Sequence, residues 1–154
     1  MSVADHTSVL SILQGEWAGQ ETIAASTWGP GGRAVSRVSS RFELEGRILV
    51  QDYEAVRDGN PWLSAHAVFT CDEESGEYGL YWFDSLGFAP LERAAGHWNG
   101  TALEFIRRSP RGMSRQSQVP GEPGSYGLVL ESSFDQGATW MPVMNGKYLR
   151  SSGN

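Results

Sequence analysis

The sequence predicts an all-β fold, an antiparallel up-and-down β-barrel of about ten strands with a short N-terminal helix. Three observations carry this prediction. Glycine is abundant, at 19 of 154 residues, and it accompanies many aromatic and β-branched residues, a balance that favours strands and turns over a helical bundle. Short strand-like runs recur along the chain, each closed by turn chemistry. No long helical segment lies between them to cross over a parallel sheet, and the local connections favour a barrel over a Greek-key sandwich. A chain of about 150 residues buries roughly two-thirds of its unfolded surface, so one domain over 1–154 is expected.

The elements follow in order. Thr7 or Ser8 is placed to cap a short helix whose apolar residues Val9, Leu10, Ile12 and Leu13 share one face, and Gly15 ends it. Strand-like runs are expected at 17–25, 34–44, 47–57, 62–71, 77–84, 88–98, 101–108, 115–119, 126–134 and 140–149. The breaks between them include Gly29-Pro30-Gly31-Gly32, Glu45-Gly46, Asp58-Gly59-Asn60-Pro61 and Asn99-Gly100. The last is a strong hairpin signal, because both residues tolerate the positive φ of a type I′ turn. Residues 118–125, with two prolines and two glycines, are expected to form a mobile loop.

Ser133-Phe134-Asp135-Gln136-Gly137-Ala138-Thr139-Trp140 matches the Asp-box pattern S-x-D-x-G-x-T-W. Its physics is local: Asp135 accepts backbone N–H bonds within the turn, Gly137 supplies the unusual backbone angle and Trp140 packs beneath the hairpin. A single copy is a brace for one hairpin and gives no reason to infer a glycosidase.

Composition excludes several function classes. The formal net charge of −6 argues against a general binder of nucleic acid or anionic membranes, both of which need clustered positive charge. Arg107, Arg108, Arg111 and Arg115 crowd one Pro/Gly segment and read either as a solvated loop or as a positive rim for anionic ligands. Cys71 is the sole cysteine, so no intrachain disulfide forms and a reducing, cytoplasmic setting is expected. The chain start shows no secretory pattern, and no apolar stretch approaches the roughly 18 residues that a membrane helix needs. His6, His66 and His97 lack metal-ligand spacing, and no nucleotide or nucleophile-elbow fingerprint occurs, so neither metal nor cofactor is expected.

A register proposed across the Asp58–Pro61 turn, with Arg57 facing Trp62, puts Tyr53 opposite His66 and Ser64 on the same face. Extended across the next turn, it sets Trp82 beside His66 and Asp84 beside Ser64. Tyr53, Ser64, His66, Trp82 and Asp84 are therefore the expected ligand-binding residues. The face is neither cleanly apolar nor cleanly polar, as expected of a barrel wall lining a cavity. Across the Asn99-Gly100 turn, Glu92 is expected to pair with Arg107.

From Leu10 to Arg150 the chain resembles a bacterial family of calycin-like (lipocalin-like) proteins, a domain of unknown function. The likeness rests on the opening over 13–17, Leu44-Glu45-Gly46-Arg47, Tyr53, Asp72 with Gly76 and Tyr78, Trp82-Phe83-Asp84-Ser85 with Gly87, and the closing Tyr148-Leu149-Arg150. It implies a lipocalin-like barrel and no particular activity. In such barrels a G-x-W, here Gly15-Glu16-Trp17, closes the narrow end, and a terminal Arg, here Arg150, lies on the indole by cation–π attraction. A more distant likeness is to nitrobindin-type haem barrels, which carry the iron-ligating histidine near the C-terminus. The last histidine here is His97, so haem binding is not supported.

The leading functional expectation is a barrel that binds a small, partly apolar molecule. The alternatives are a cofactor-free enzyme using a Tyr53/His66/Asp84 acid–base set, and a homodimeric interaction protein.

Overall fold

The computed structural model describes residues 8–27 and 29–151. Ten antiparallel strands close into one barrel: β1 (Gly15–Ile23), β2 (Gly32–Glu43), β3 (Ile48–Arg57), β4 (Asn60–Cys71), β5 (Tyr78–Asp84), β6 (Ala94–Trp98), β7 (Leu103–Ser109), β8 (Gly112–Pro120), β9 (Ser125–Ser133) and β10 (Met141–Arg150). Each strand pairs with its neighbour in sequence, and β1 closes the ring against β10. This is the up-and-down barrel the sequence predicts. Burial alternates along β1 and β2 with the two-residue period of the pleat. In β1, Trp17, Gly19 and Glu21 are inside and Glu16, Ala18 and Gln20 outside. Among the described residues no helix is long and apolar enough to cross a membrane.

One end of the barrel is plugged. Residues 8–13 are helical and finish in a 3₁₀ turn, Ser11–Leu13, that presses Leu10 and Leu13 into the core. Of the proposed caps, Thr7 lies outside the described residues. Trp17 is buried, and its indole Nε1 donates to the Leu13 carbonyl at 2.9 Å. Trp17 and Arg150 are register partners, and the guanidinium lies 4.5 Å from the indole centroid while it donates to the Gln14 carbonyl at 3.0 Å. A side chain at Gly15 would run into that guanidinium, and its φ of +123° further favours glycine.

The Asp box braces the β9–β10 hairpin. Asp135 accepts from Ser133 Oγ at 2.8 Å, from the Thr139 backbone N–H at 2.9 Å and from Thr139 Oγ1 at 2.6 Å. These bonds, led by that from Thr139 Oγ1, hold the Asp135 carboxyl down at about 2. Gly137 takes φ +91°, and Arg115 stacks over Trp140 at 4.1 Å.

Four local expectations are corrected. The turn between β3 and β4 is two residues, Asp58 and Gly59, both at positive φ, and it pairs Arg57 with Asn60. A bulge follows, so that Val56 meets Pro61 but Ala55 meets Leu63; Pro61 brings no N–H to a regular ladder. Tyr53 therefore faces Ala65, one residue from the register proposed, and Asp52 faces His66.

The run expected at 88–98 is a strand only from Ala94, and residues 85–93 form a loop. Pro90 cannot donate to a ladder there. Asn99-Gly100 belongs to a four-residue loop in which Asn99 Oδ1 accepts from the backbones of Thr101 and Ala102, both at 2.9 Å. That shift breaks the expected pairing of Glu92 with Arg107, and the two form no ion pair. Finally, Gln118 belongs not to a loop but to β8, where it pairs with Leu103 and Leu128.

Candidate functional site

A cavity of about 370 Å³ occupies the barrel between the plug and the opposite, open end. That volume equals about twelve liquid waters at roughly 30 Å³ each, at the lower end of the ligand-pocket range. The walls are mostly apolar and aromatic, with Leu80, Trp82, Phe105, Leu128 and Leu130 among them. The polar groups are few: Gln51, Gln116 and Gln118 along the wall, and Asp84, Arg107, Ser114 and Ser132 at the mouth. On the β5–β7 side the wall is thin in backbone, because β6 pairs with β5 only up to Leu80. Leu86, from the loop after β5, adds to the lining there.

The deepest polar group is Glu21, whose side chain is buried in the core. Among the described residues no cation pairs with it. Instead the Tyr53 hydroxyl donates to Oε1 at 2.7 Å and the Tyr148 hydroxyl to Oε2 at 2.6 Å. These are strong bonds, since donors to a carboxylate sit closer and bind tighter than neutral pairs. Room for the Tyr148 ring comes from Gly19 and Gly146, its neighbours across β1 and along β10. A side chain at Gly146 would come within 2.5 Å of the Tyr148 hydroxyl. Tyr126 stacks on Tyr148 with ring centroids 4.8 Å apart and meets Trp17 edge-on at 4.8 Å. The cavity floor and the plug are thus one aromatic stack.

Burial first, and the adjacent Glu21 carboxyl second, push the Tyr53, Tyr126 and Tyr148 hydroxyls far above their ordinary 10.0. The direction fixes the pH response. Folded-state values above the unfolded ones mean that the stabilisation is complete below pH 10 and declines as pH rises beyond it. Stability measured by denaturant midpoint is therefore expected to fall above about pH 10, with phenolate absorbance appearing only on unfolding. Phenolate absorbance from these three rings in the folded protein near pH 10 would contradict the assignment.

The five expected ligand-binding residues separate into two groups. Tyr53, Trp82 and Asp84 line the cavity. Tyr53 and Trp82 lie with ring centroids 6.0 Å apart. Ser64 and His66 are a correction: the register turns both outward. Ser64 is exposed, and its backbone N–H donates to Ser85 Oγ at 3.0 Å. His66 Nδ1 sits 2.7 Å from Asp52 Oδ1 on the outer surface, and this bond holds the Asp52 carboxyl below its usual range. Asp84 accepts from Trp82 Nε1 at 2.8 Å and from the Leu86 backbone N–H at 3.0 Å. The Tyr53/His66/Asp84 set is thus not brought together.

Sequence reasoning missed Glu21, Gln118, Tyr126, Tyr148 and the inward direction of Arg107. For two of them the signal was present. Glu21 stands four residues after Trp17 and Tyr148 two before Arg150, so the strand period alone puts each on the plug's side of the sheet.

No family model matches this chain, and no curated protein matches it in sequence. Similarity appears among solved structures. The chain is similar to Rv2717c from M. tuberculosis, with 16% identity and a TM-score of 0.69 over 94% of this chain and 96% of that one. It is also similar to the S-type phycobiliprotein lyase CPES from Guillardia theta, with 9% identity and a TM-score of 0.68 over 100% of this chain and 95% of that one. At such identities the likeness is one of fold, that of a closed barrel of ten antiparallel strands.

Proposed function

We propose that this barrel binds a small, partly apolar molecule in its cavity. The observation that carries this reading is the cavity itself: closed at one end by the plug, open at the other, and walled by apolar and aromatic side chains with a few placed polar groups. Tyr53, Trp82 and Asp84 are the expected residues that remain in the proposal. Its setting is reducing and cytoplasmic, supported by a single cysteine, Cys71, with no disulfide partner in the chain. The fold likeness to a phycobiliprotein lyase brings no activity with it.

The test uses a neutral apolar dye, phenylnaphthylamine, whose emission rises in a dry pocket. The wild-type protein is expected to bind it with a saturable rise in fluorescence. Leu130→Trp, which fills the cavity, is expected to abolish the rise while still melting cooperatively. Equal binding by both proteins would place the dye elsewhere and defeat the reading.

A second reading, a homodimer, is favoured by one observation. Tyr81 and Phe83 point outward from β5 at 41% and 49% exposure, beside a loop carrying Leu86 and Phe88 at 65% and 60%. Light scattering at micromolar concentration distinguishes dimer from monomer.

A further inference from the structure

Among the described residues Arg107 is a charge without a partner. It lines the cavity mouth from β7, half-buried, and no hydrogen bond or ion pair is made to it among the described residues. Its register partner is Ser114, and Ser114 in turn faces Ser132. A guanidinium and two hydroxyls therefore stand side by side on three adjacent strands, all lining the cavity. The nearby carboxyl groups bond elsewhere: Asp84 accepts from Trp82 Nε1 and the Leu86 N–H, Glu21 accepts from two tyrosine hydroxyls, and neither forms an ion pair with Arg107. An unpaired guanidinium that faces a mostly apolar cavity is costly to keep unless an anion meets it.

A second orphan group lies further in. Gln118 is 4% exposed, lines the same cavity, and its Oε1 has no hydrogen-bond partner. A buried acceptor left unmade costs more than a made bond returns. Gln118 stands four residues along β8 from Ser114, about 13 Å at 3.3 Å per residue. Between the two levels the wall is Phe105, Leu128 and Leu130 with one polar residue, Gln116.

We infer that the cavity takes amphipathic organic anions: an acidic group at Arg107, Ser114 and Ser132, a ring or chain body against the apolar wall, and an N–H or O–H donor directed to Gln118. This rests on the binding function proposed above and narrows it to a ligand class. Planar fork geometry makes arginine suited to a two-oxygen acid group, so a carboxylate or sulfonate is the natural head. The chain's formal net charge of −6 opposes such a ligand at long range, so recognition comes from the mouth itself.

The test compares two dyes that share one skeleton, the neutral phenylnaphthylamine and anilinonaphthalene sulfonate, which adds only the acid. The wild-type protein is expected to bind the sulfonate roughly tenfold tighter than the neutral amine, the effect of about one charge-assisted hydrogen bond. Arg107→Gln is expected to erase that preference, read as the ratio of the two affinities in the same protein, with a cooperative thermal melt showing that the variant is folded. Arg107→Lys, keeping the charge without the fork, is expected to restore part of it. If wild type binds the amine but shows no preference, or if the preference survives in Arg107→Gln, the anion assignment is wrong and the binding function stands. If neither dye binds, both fall.

Discussion

Trp17→Ala is expected to destabilise the barrel by about 3–5 kcal/mol, the range for truncating a buried tryptophan. For a chain of this length that corresponds to a melting temperature lower by roughly 6–20 °C. The size follows from what the indole touches. It fills the closed end over Leu10 and Leu13, meets Tyr126 edge-on, supports the Arg150 guanidinium and satisfies the Leu13 carbonyl. Its removal opens a cavity, orphans an acceptor and leaves Arg150 with its bond to Gln14 alone. Arg150→Ala keeps the indole and loses the cation–π contact and one hydrogen bond, so its cost should be smaller, about 1–2 kcal/mol. Thermal melts of both variants by circular dichroism check the order. A tryptophan variant that melts within a few degrees of wild type would mean the end is held by something other than this plug.

The paired substitution Tyr53→Phe with Tyr148→Phe is expected to cost on the order of 4 kcal/mol, well above the sum of the two single changes. Each single change leaves Glu21 one hydroxyl donor, and each should cost only about 1 kcal/mol. The double change leaves a fully buried carboxyl with no hydroxyl donor, the situation in which desolvation is uncompensated. The coupling is therefore positive and measurable in a double-mutant cycle from denaturant midpoints. Adding Glu21→Leu to the double variant should recover much of the loss, since the orphan then disappears along with its partners. Strict additivity of the single changes would show that the three groups do not act as one cluster.

The architecture was readable because its signals are local. Turn residues such as Asp58-Gly59 and the glycine-marked β9–β10 hairpin punctuate the chain whatever it packs against, and alternation within a strand needs no partner. The site was only half readable because facing depends on register, and register was lost at one position. The bulge at Pro61 shifts the pairing by a residue, which reverses the side on which Ser64 and His66 emerge relative to Tyr53. Tyr53 and Trp82 stay inside because both lie on strands whose inward residues include bulky core members, Leu49 on β3 and Tyr78 on β5. Arg107 was hidden differently. A four-residue loop where two residues were expected moved Glu92 away from it and left the guanidinium free to face the cavity. Glu21 shows the limit of composition as a guide, since an acidic residue on a short strand ordinarily reads as solvent-facing.

The short β6 has a consequence for traffic. Elsewhere the wall is a continuous ladder, and widening it would mean breaking strand pairing on both sides of a gap. Beside Trp82 and Asp84 the chain runs on as residues 85–93, which belong to no strand and put Leu86 in the cavity lining, so that segment can shift without breaking a strand pair, at the cost of the Arg111–Phe88 contact. The mouth can therefore change its width through one surface loop. Such a movement is local and leaves the global stability of the barrel untouched.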